Sequence, residues 1–128
     1  FTQLSMVSLC VSLFLMPALA QVEVKRGYCY DTARSTAEII NDENSELYFI
    51  KPRYRRSFAN GSYWHVVVQS GGVIYDLERP EHYRLEHDYF EAAFGEPVLF
   101  RRVTAREIKE HDTLWIATLF DEGPWETR

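Results

Sequence analysis

The chain has 128 residues and a formal net charge of −5 at pH 7, enough for a single hydrophobic core and the wrong sign for nucleic acid as the main partner. It holds two cysteines, Cys10 and Cys29. Only Cys29 lies beyond the first twenty residues, so a disulfide-stapled scaffold is excluded and the fold must stand on its core.

Residues 1–20 carry no charge, are apolar from Met6 to Ala20 and close on Ala18-Leu19-Ala20 after Pro17. This reads as a secretory signal peptide cut before Gln21, its apolar run being too short for a comfortable membrane span. An uncleaved anchor is the alternative. Residues 21–128 then form one secreted or periplasmic domain that carries the whole net charge.

Gly27-Tyr28-Cys29 is a glycine turn leading into a helix. Over residues 29–41, Cys29, Ala33, Ala37 and Ile40 repeat at helical spacing with Asp31, Arg34, Ser35 and Glu38 opposite. The small residues let that stripe press on a sheet, and Cys29 at its head puts the sulfur at the sheet's edge. A thiol in a first helical turn sits where the helix dipole favours thiolate. Cys29 is thus a candidate nucleophile, with a buried structural cysteine as the bland alternative, and Asp31 reads as a helix-start carboxylate.

From Ser45 the pattern turns to strands. Leu47–Ile50 runs on through Tyr54–Phe58, Asn60-Gly61 signals a tight hairpin, residues 63–69 return, and Gly71-Gly72 leads into Val73–Leu77. The expectation is a three-stranded antiparallel meander. A two-residue turn at Gly71-Gly72 pairs Ser70 with Val73, Val67 with Asp76 and His65 with Glu78, which sets His65 and Asp76 on one face as diagonal neighbours. Cys29, His65 and Asp76 then fill the roles of nucleophile, base and orienting acid, provided that His65 lies on the helix side of the sheet. Glu78 is the alternative orienter.

The pattern G-x-C-x-D-x-A at Gly27, Cys29, Asp31 and Ala33, followed by His65-Val66-Val67-Val68 and Tyr75-Asp76-Leu77, resembles the transglutaminase-like branch of the papain-like cysteine hydrolases. The likeness spans residues 27–80, with Val66-Val67 where many relatives have Ala-Trp after the histidine, and with a shorter gap to the aspartate. It implies an α+β papain-like fold with the cysteine helix on an antiparallel sheet. It also implies thiol-dependent attack on an amide of a protein or peptide, without cofactor, through a thioester at Cys29. A peptidase, amidase, glutamine deamidase or transglutaminase all fit, and a catalytically silent binding module on the same fold is the reading from another class.

The remaining elements are plainer. Lys51, Arg53, Arg55 and Arg56 stand among Tyr48, Tyr54, Phe58, Tyr63 and Trp64, as a substrate wall or a solvated strand face. Asn60-Gly61-Ser62 is a glycan sequon that the turn already explains. His82, His87 and His111 read as surface histidines. Residues 84–94 have helical spacing, Val98–Val103 is a strand, and Thr104-Ala105-Arg106-Glu107 is a capping box. Leu114–Phe120 fits helix or strand, and the tail from Asp121 reads as irregular.

Overall fold

The computed structural model describes residues 16–25, 27–111, 118 and 125–128. Among the described residues the elements follow one another as α1 (Met16–Leu19), α2 (Cys29–Ile40), β1 (Glu46–Pro52), β2 (His65–Ser70), β3 (Val73–Tyr75), β4 (Tyr83–Leu85), α3 (Glu86–Ala93), β5 (Val98–Thr104), α4 (Ala105–Glu110) and β6 (Glu126–Thr127). The strands make one antiparallel sheet in the order β4-β3-β2-β1-β5-β6. The architecture is α+β.

The sheet is covered on both faces, which is why its strands read as unbroken apolar runs rather than alternating ones. Leu47, Phe49, Val66, Val68, Val73 and Val103 pack toward α2 and its buried Ala33. Tyr48, Ile50, Val67, Ile74, Val98 and Phe100 pack toward Tyr89 and Phe90 of α3. Leu47, Tyr48, Phe49 and Ile50 are all 0% exposed, so β1 is the spine of the domain. Small side chains hold α2 close: Thr32, Ala33 and Thr36 are buried, and the Thr36 hydroxyl donates to the Thr32 carbonyl at 2.7 Å. Asn41, in the left-handed region at φ 53°, caps the helix, and its N–H donates to the Ala37 carbonyl.

The Gly71-Gly72 turn has two residues. Ser70 pairs with Val73, Gln69 with Ile74 and Val68 with Tyr75. Both glycines have positive φ, 58° and 81°, the conformation whose twist matches that of the flanking strands.

The three-stranded antiparallel meander forms as β1, β2 and β3, but its first connection is not the tight hairpin expected at Asn60-Gly61. Ile50 pairs with His65 and Glu46 with Gln69, a register that leaves residues 53–64 as a long connection. Asn60-Gly61 still turns, with Phe58 N–H on the Ser62 carbonyl and Gly61 N–H on the Phe58 carbonyl, but within a loop. Arg53, Tyr54, Arg55 and Arg56 are exposed and have no buried face with which to hold a strand. The other edge of β1 is taken by β5, in register from Glu46↔Thr104 to Pro52↔Val98.

Farther along, the helical pattern of 84–94 resolves into β4 and α3. The N-cap half of the expected capping box is present at the start of α4, where Thr104 Oγ1 accepts the Glu107 N–H at 3.1 Å. Part of the tail is ordered as β6 against β5, correcting the irregular reading. Apart from helical Thr118, Leu114–Phe120 lies outside the described residues. At the other end, α1 packs Leu19, 2% exposed, into the α2-side core with Met16 beside it; residues 1–15 lie outside the described residues. Among the described residues no helix is long and apolar enough to cross a membrane.

Candidate active site

Three elements end at one place. Cys29 opens α2, His65 opens β2, and Asp76 follows the last residue of β3. Alternation along β2 puts Val66 and Val68 on the α2 side and Val67 on the α3 side, so His65 shares the α3 side with Val67. That corrects the expectation of His65 on the helix side. The triad survives the correction because His65 is the first residue of its strand. There the ring lies at the end of the covered sheet, close enough to the Cys29 side chain from the other layer for the two to interact electrostatically, and both line one groove. The Phe94 ring stands edge-on to the imidazole with centroids 6.4 Å apart.

The register delivers the carboxylate. Asp76 is 5% exposed and has both oxygens engaged. Oδ2 lies 3.0 Å from His65 Nε2 and accepts the Tyr89 hydroxyl at 2.7 Å. Oδ1 accepts the Glu78 N–H at 3.2 Å, and Arg79 Nε stands 3.5 Å from Oδ2. The Asp76 N–H is held by the His82 carbonyl. On the other ring nitrogen, Glu78 Oε2 is 3.4 Å from Nδ1. Asp76 therefore has the nearer and more buried contact with the ring, and Glu78 faces the solvent side.

Electrostatics follow from this packing. Burial disfavours a charged imidazole, but the hydrogen bonds and charges of Asp76 and Cys29 outweigh it and push His65 up to about 10. Burial likewise favours a protonated Asp76. His65, Tyr89 and Arg79 outweigh that and hold its carboxyl below the ordinary range. Tyr89, buried against a carboxylate, is raised well above the usual phenol value and so stays a hydrogen-bond donor.

The cysteine and histidine face a groove of about 440 Å³ lined by Val24, Gly27, Asn60, Tyr63, Trp64 and Glu78. It continues past His65 into a hollow of about 460 Å³ bounded by Phe58, Arg79, Phe94 and Glu96. His65, Asp76 and Glu78 bring three donor atoms within 4.8 Å of one another, as a metal site would. Yet the two carboxylates approach different ring nitrogens and Arg79 sets positive charge on Asp76, so the donors are spent on one another.

Sequence reasoning placed Cys29, His65, Asp76 and Glu78 here and missed Tyr89, Arg79 and Phe94. Tyr89 and Phe94 carried a signal only as members of an apolar helical stripe, which says that they face the core and not that one hydroxyl reaches a carboxylate at the end of β3. His87 is exposed and pairs with Asp88 at 3.4 Å, and the backbone of His82 supports Asp76.

The chain matches no family model, no curated protein and no solved structure.

Proposed function

We propose that this protein is a thiol-dependent hydrolase or acyltransferase that opens an amide through a thioester at Cys29, on a papain-like domain of transglutaminase-like type. The observation that carries the reading is the buried, fully hydrogen-bonded Asp76 holding the His65 ring beside the only cysteine of the domain. A histidine that merely filled a core would not need a carboxylate saturated by a tyrosine, an arginine and a backbone N–H.

In this scheme Asp76 holds Nε2, and Nδ1, to which the more exposed Glu78 makes only a 3.4 Å approach, turns to the thiol and exchanges a proton with it. The Cys29 sulfur attacks the carbonyl carbon and forms the C–S bond. The developing oxyanion lies at the start of α2, where the first N–H groups have no intrahelical acceptor. His65 then gives its proton to the leaving amine as the C–N bond breaks. Water, or an amine in the transfer variant, attacks the thioester and returns a proton to His65, and the C–S bond breaks. General acid–base work of this kind contributes roughly 10²–10⁴-fold. The proposal includes export, with residues 1–20 as leader, and a protein or peptide as substrate.

The test compares iodoacetamide alkylation of the parent and of Cys29→Ser with that of N-acetylcysteine at about pH 6, where an ordinary thiol is almost wholly protonated. Read at Cys29 by peptide mass mapping, the parent should react faster than the free thiol, and Cys29→Ser should react at no position other than Cys10 while melting like the parent. A parent that reacts no faster than N-acetylcysteine would sink the catalytic reading and favour the silent binding module.

A further inference from the structure

The exposed large apolar side chains among the described residues are Val24, Tyr28, Tyr54 and Tyr63, and they stand on the two chain segments, 24–29 and 53–64, that contribute lining residues to the groove. Val24 and Tyr63 line it, Tyr28 precedes Cys29 in the chain, and Tyr54 shares the 53–64 loop with Tyr63. Each tyrosine carries a cation over its ring: Lys25 on Tyr28 at 5.9 Å, Arg53 on Tyr54 at 5.0 Å and Arg56 on Tyr63 at 5.8 Å. Lys25 also pairs with Glu23, and Arg55 pairs with Glu96 at the far end of the groove. Arg53 and Arg56 have no carboxylate partner among the described residues. From Lys51 to Trp64 the chain has four basic side chains and no acidic one, in a protein whose net charge is −5.

We infer that the 53–64 loop docks the acidic flank of a polypeptide whose scissile amide enters the Cys29–His65 groove. Resting on the amide reading, this assigns the substrate class. A guanidinium stacked on a tyrosine is pre-organised and still presents its N–H fork outward, the arrangement that takes a carboxylate in a bidentate grip. Three exposed tyrosines beside it supply large, stiff contact area to a bound chain at low entropic cost. Two unpaired arginines, Arg53 and Arg56, on an acidic protein also steer anionic chains toward this loop. Acidic polypeptide is favoured over nucleic acid because the protein as a whole carries a net charge of −5 and offers a long polyanion no continuous basic stretch beyond this loop.

The experiment uses the Cys29→Ser protein, so that binding is read apart from turnover. Its probes are fluorescein-labelled octapeptides of identical length, in which Glu alternates with Gln, every Glu is replaced by Gln, or every Glu is replaced by Lys. In fluorescence anisotropy the Glu peptide should bind roughly tenfold more tightly than the Gln peptide and the Lys peptide most weakly. The preference should shrink as salt rises from about 0.05 to about 0.5 M. Arg53→Glu/Arg56→Glu should remove it, and the milder Arg53→Gln/Arg56→Gln should remove most of it with no change in melting temperature. Equal binding of Glu and Gln peptides would overturn the proposal. So would oligo(dT) binding more tightly than the Glu peptide and losing that affinity in the Arg53/Arg56 variants. If Cys29→Ser discriminates among the peptides but the parent shows no alkylation advantage, docking stands and the amide chemistry fails.

Discussion

Replacing Asp76 by Asn tests the central contact of the site, because it keeps the shape of the side chain and removes its charge. In the parent, burial pulls His65 toward the neutral form, and the ring reaches about 10 instead of 6.5 because Asp76, with Cys29, outweighs burial. Asp76 supplies the larger share, through a 3.0 Å contact to Nε2 from a carboxylate that is 5% exposed. With the charge gone, burial acts against a reduced opposition and the ring should titrate at or below its ordinary 6.5. At ~1.36 kcal/mol per pH unit, that fall is on the order of 5 kcal/mol of support for the imidazolium, whose population at pH 7 drops from nearly complete to about a quarter or less. The assay follows the His65 ring protons by NMR from pH 5 to 10.5 in the parent, Asp76→Asn and Glu78→Gln, with iodoacetamide rates beside them. Asp76→Asn should lower both the titration midpoint and the alkylation rate near neutral pH, and Glu78→Gln should shift either only slightly. A ring still protonated above pH 9 in Asp76→Asn, with a large fall in Glu78→Gln, would refute the assignment and make Glu78 the orienting acid.

Three further outcomes are expected. Tyr89→Phe removes the 2.7 Å hydrogen bond to Asp76 and should cost ~1.5–3 kcal/mol in urea unfolding, as for a buried bond to a charged group; a loss below ~0.5 kcal/mol would show that bond to be idle. Stability should be greatest between about pH 4 and 6.5. The raised His65 gives a contribution that is complete below 6.5 and gone above about 10, while the lowered Asp76 gives one present above its ordinary 3.8 and lost as pH falls through its depressed value. Urea midpoints at half-unit intervals should trace this profile, and a His65→Gln variant with the same alkaline slope would contradict it. A chain beginning at Gln21, the form that leader cleavage would produce, lacks Leu19, which is 2% exposed in the α2-side core. It should be less stable than the full chain by ~1.5–3 kcal/mol, which paired melts with N-terminal sequencing of exported protein would measure.

Much of this site was legible because it depends on local rules. Gly71-Gly72 admits a two-residue turn with both φ values positive, and that alone sets which residues of β2 and β3 are neighbours. The α2 stripe and the Thr104 cap are equally local. The error at Asn60-Gly61 has the opposite origin: the dipeptide turns as its chemistry requires, but strand pairing is decided by what can be buried. Arg53–Arg56 offered nothing to bury, and β5, forty residues on, offered Val98, Phe100 and Val103. Side assignment failed for a related reason. Alternation says which residues share a face, but not which helix covers it, and only the packed sheet shows His65 on the α3 side. Tyr89 and Arg79 meet Asp76 through tertiary packing, to which no spacing in the chain corresponds.

The Gly71-Gly72 turn has a further consequence. His65 lies five residues upstream of Ser70, roughly 17 Å away at ~3.4 Å per residue, and Asp76 is the third residue beyond Val73 on the returning strand. The turn is therefore the origin from which both positions are counted. Adding or deleting a single residue there would offset one strand against the other and carry Asp76 away from the ring, with the groove itself unaltered. Length at this remote and fully solvated corner should be held as tightly as any side chain in the groove, although the chemistry of the corner is only that of two glycines. Selection for a working site would then read, at residues 71 and 72, as intolerance of insertion rather than as loss of a contact.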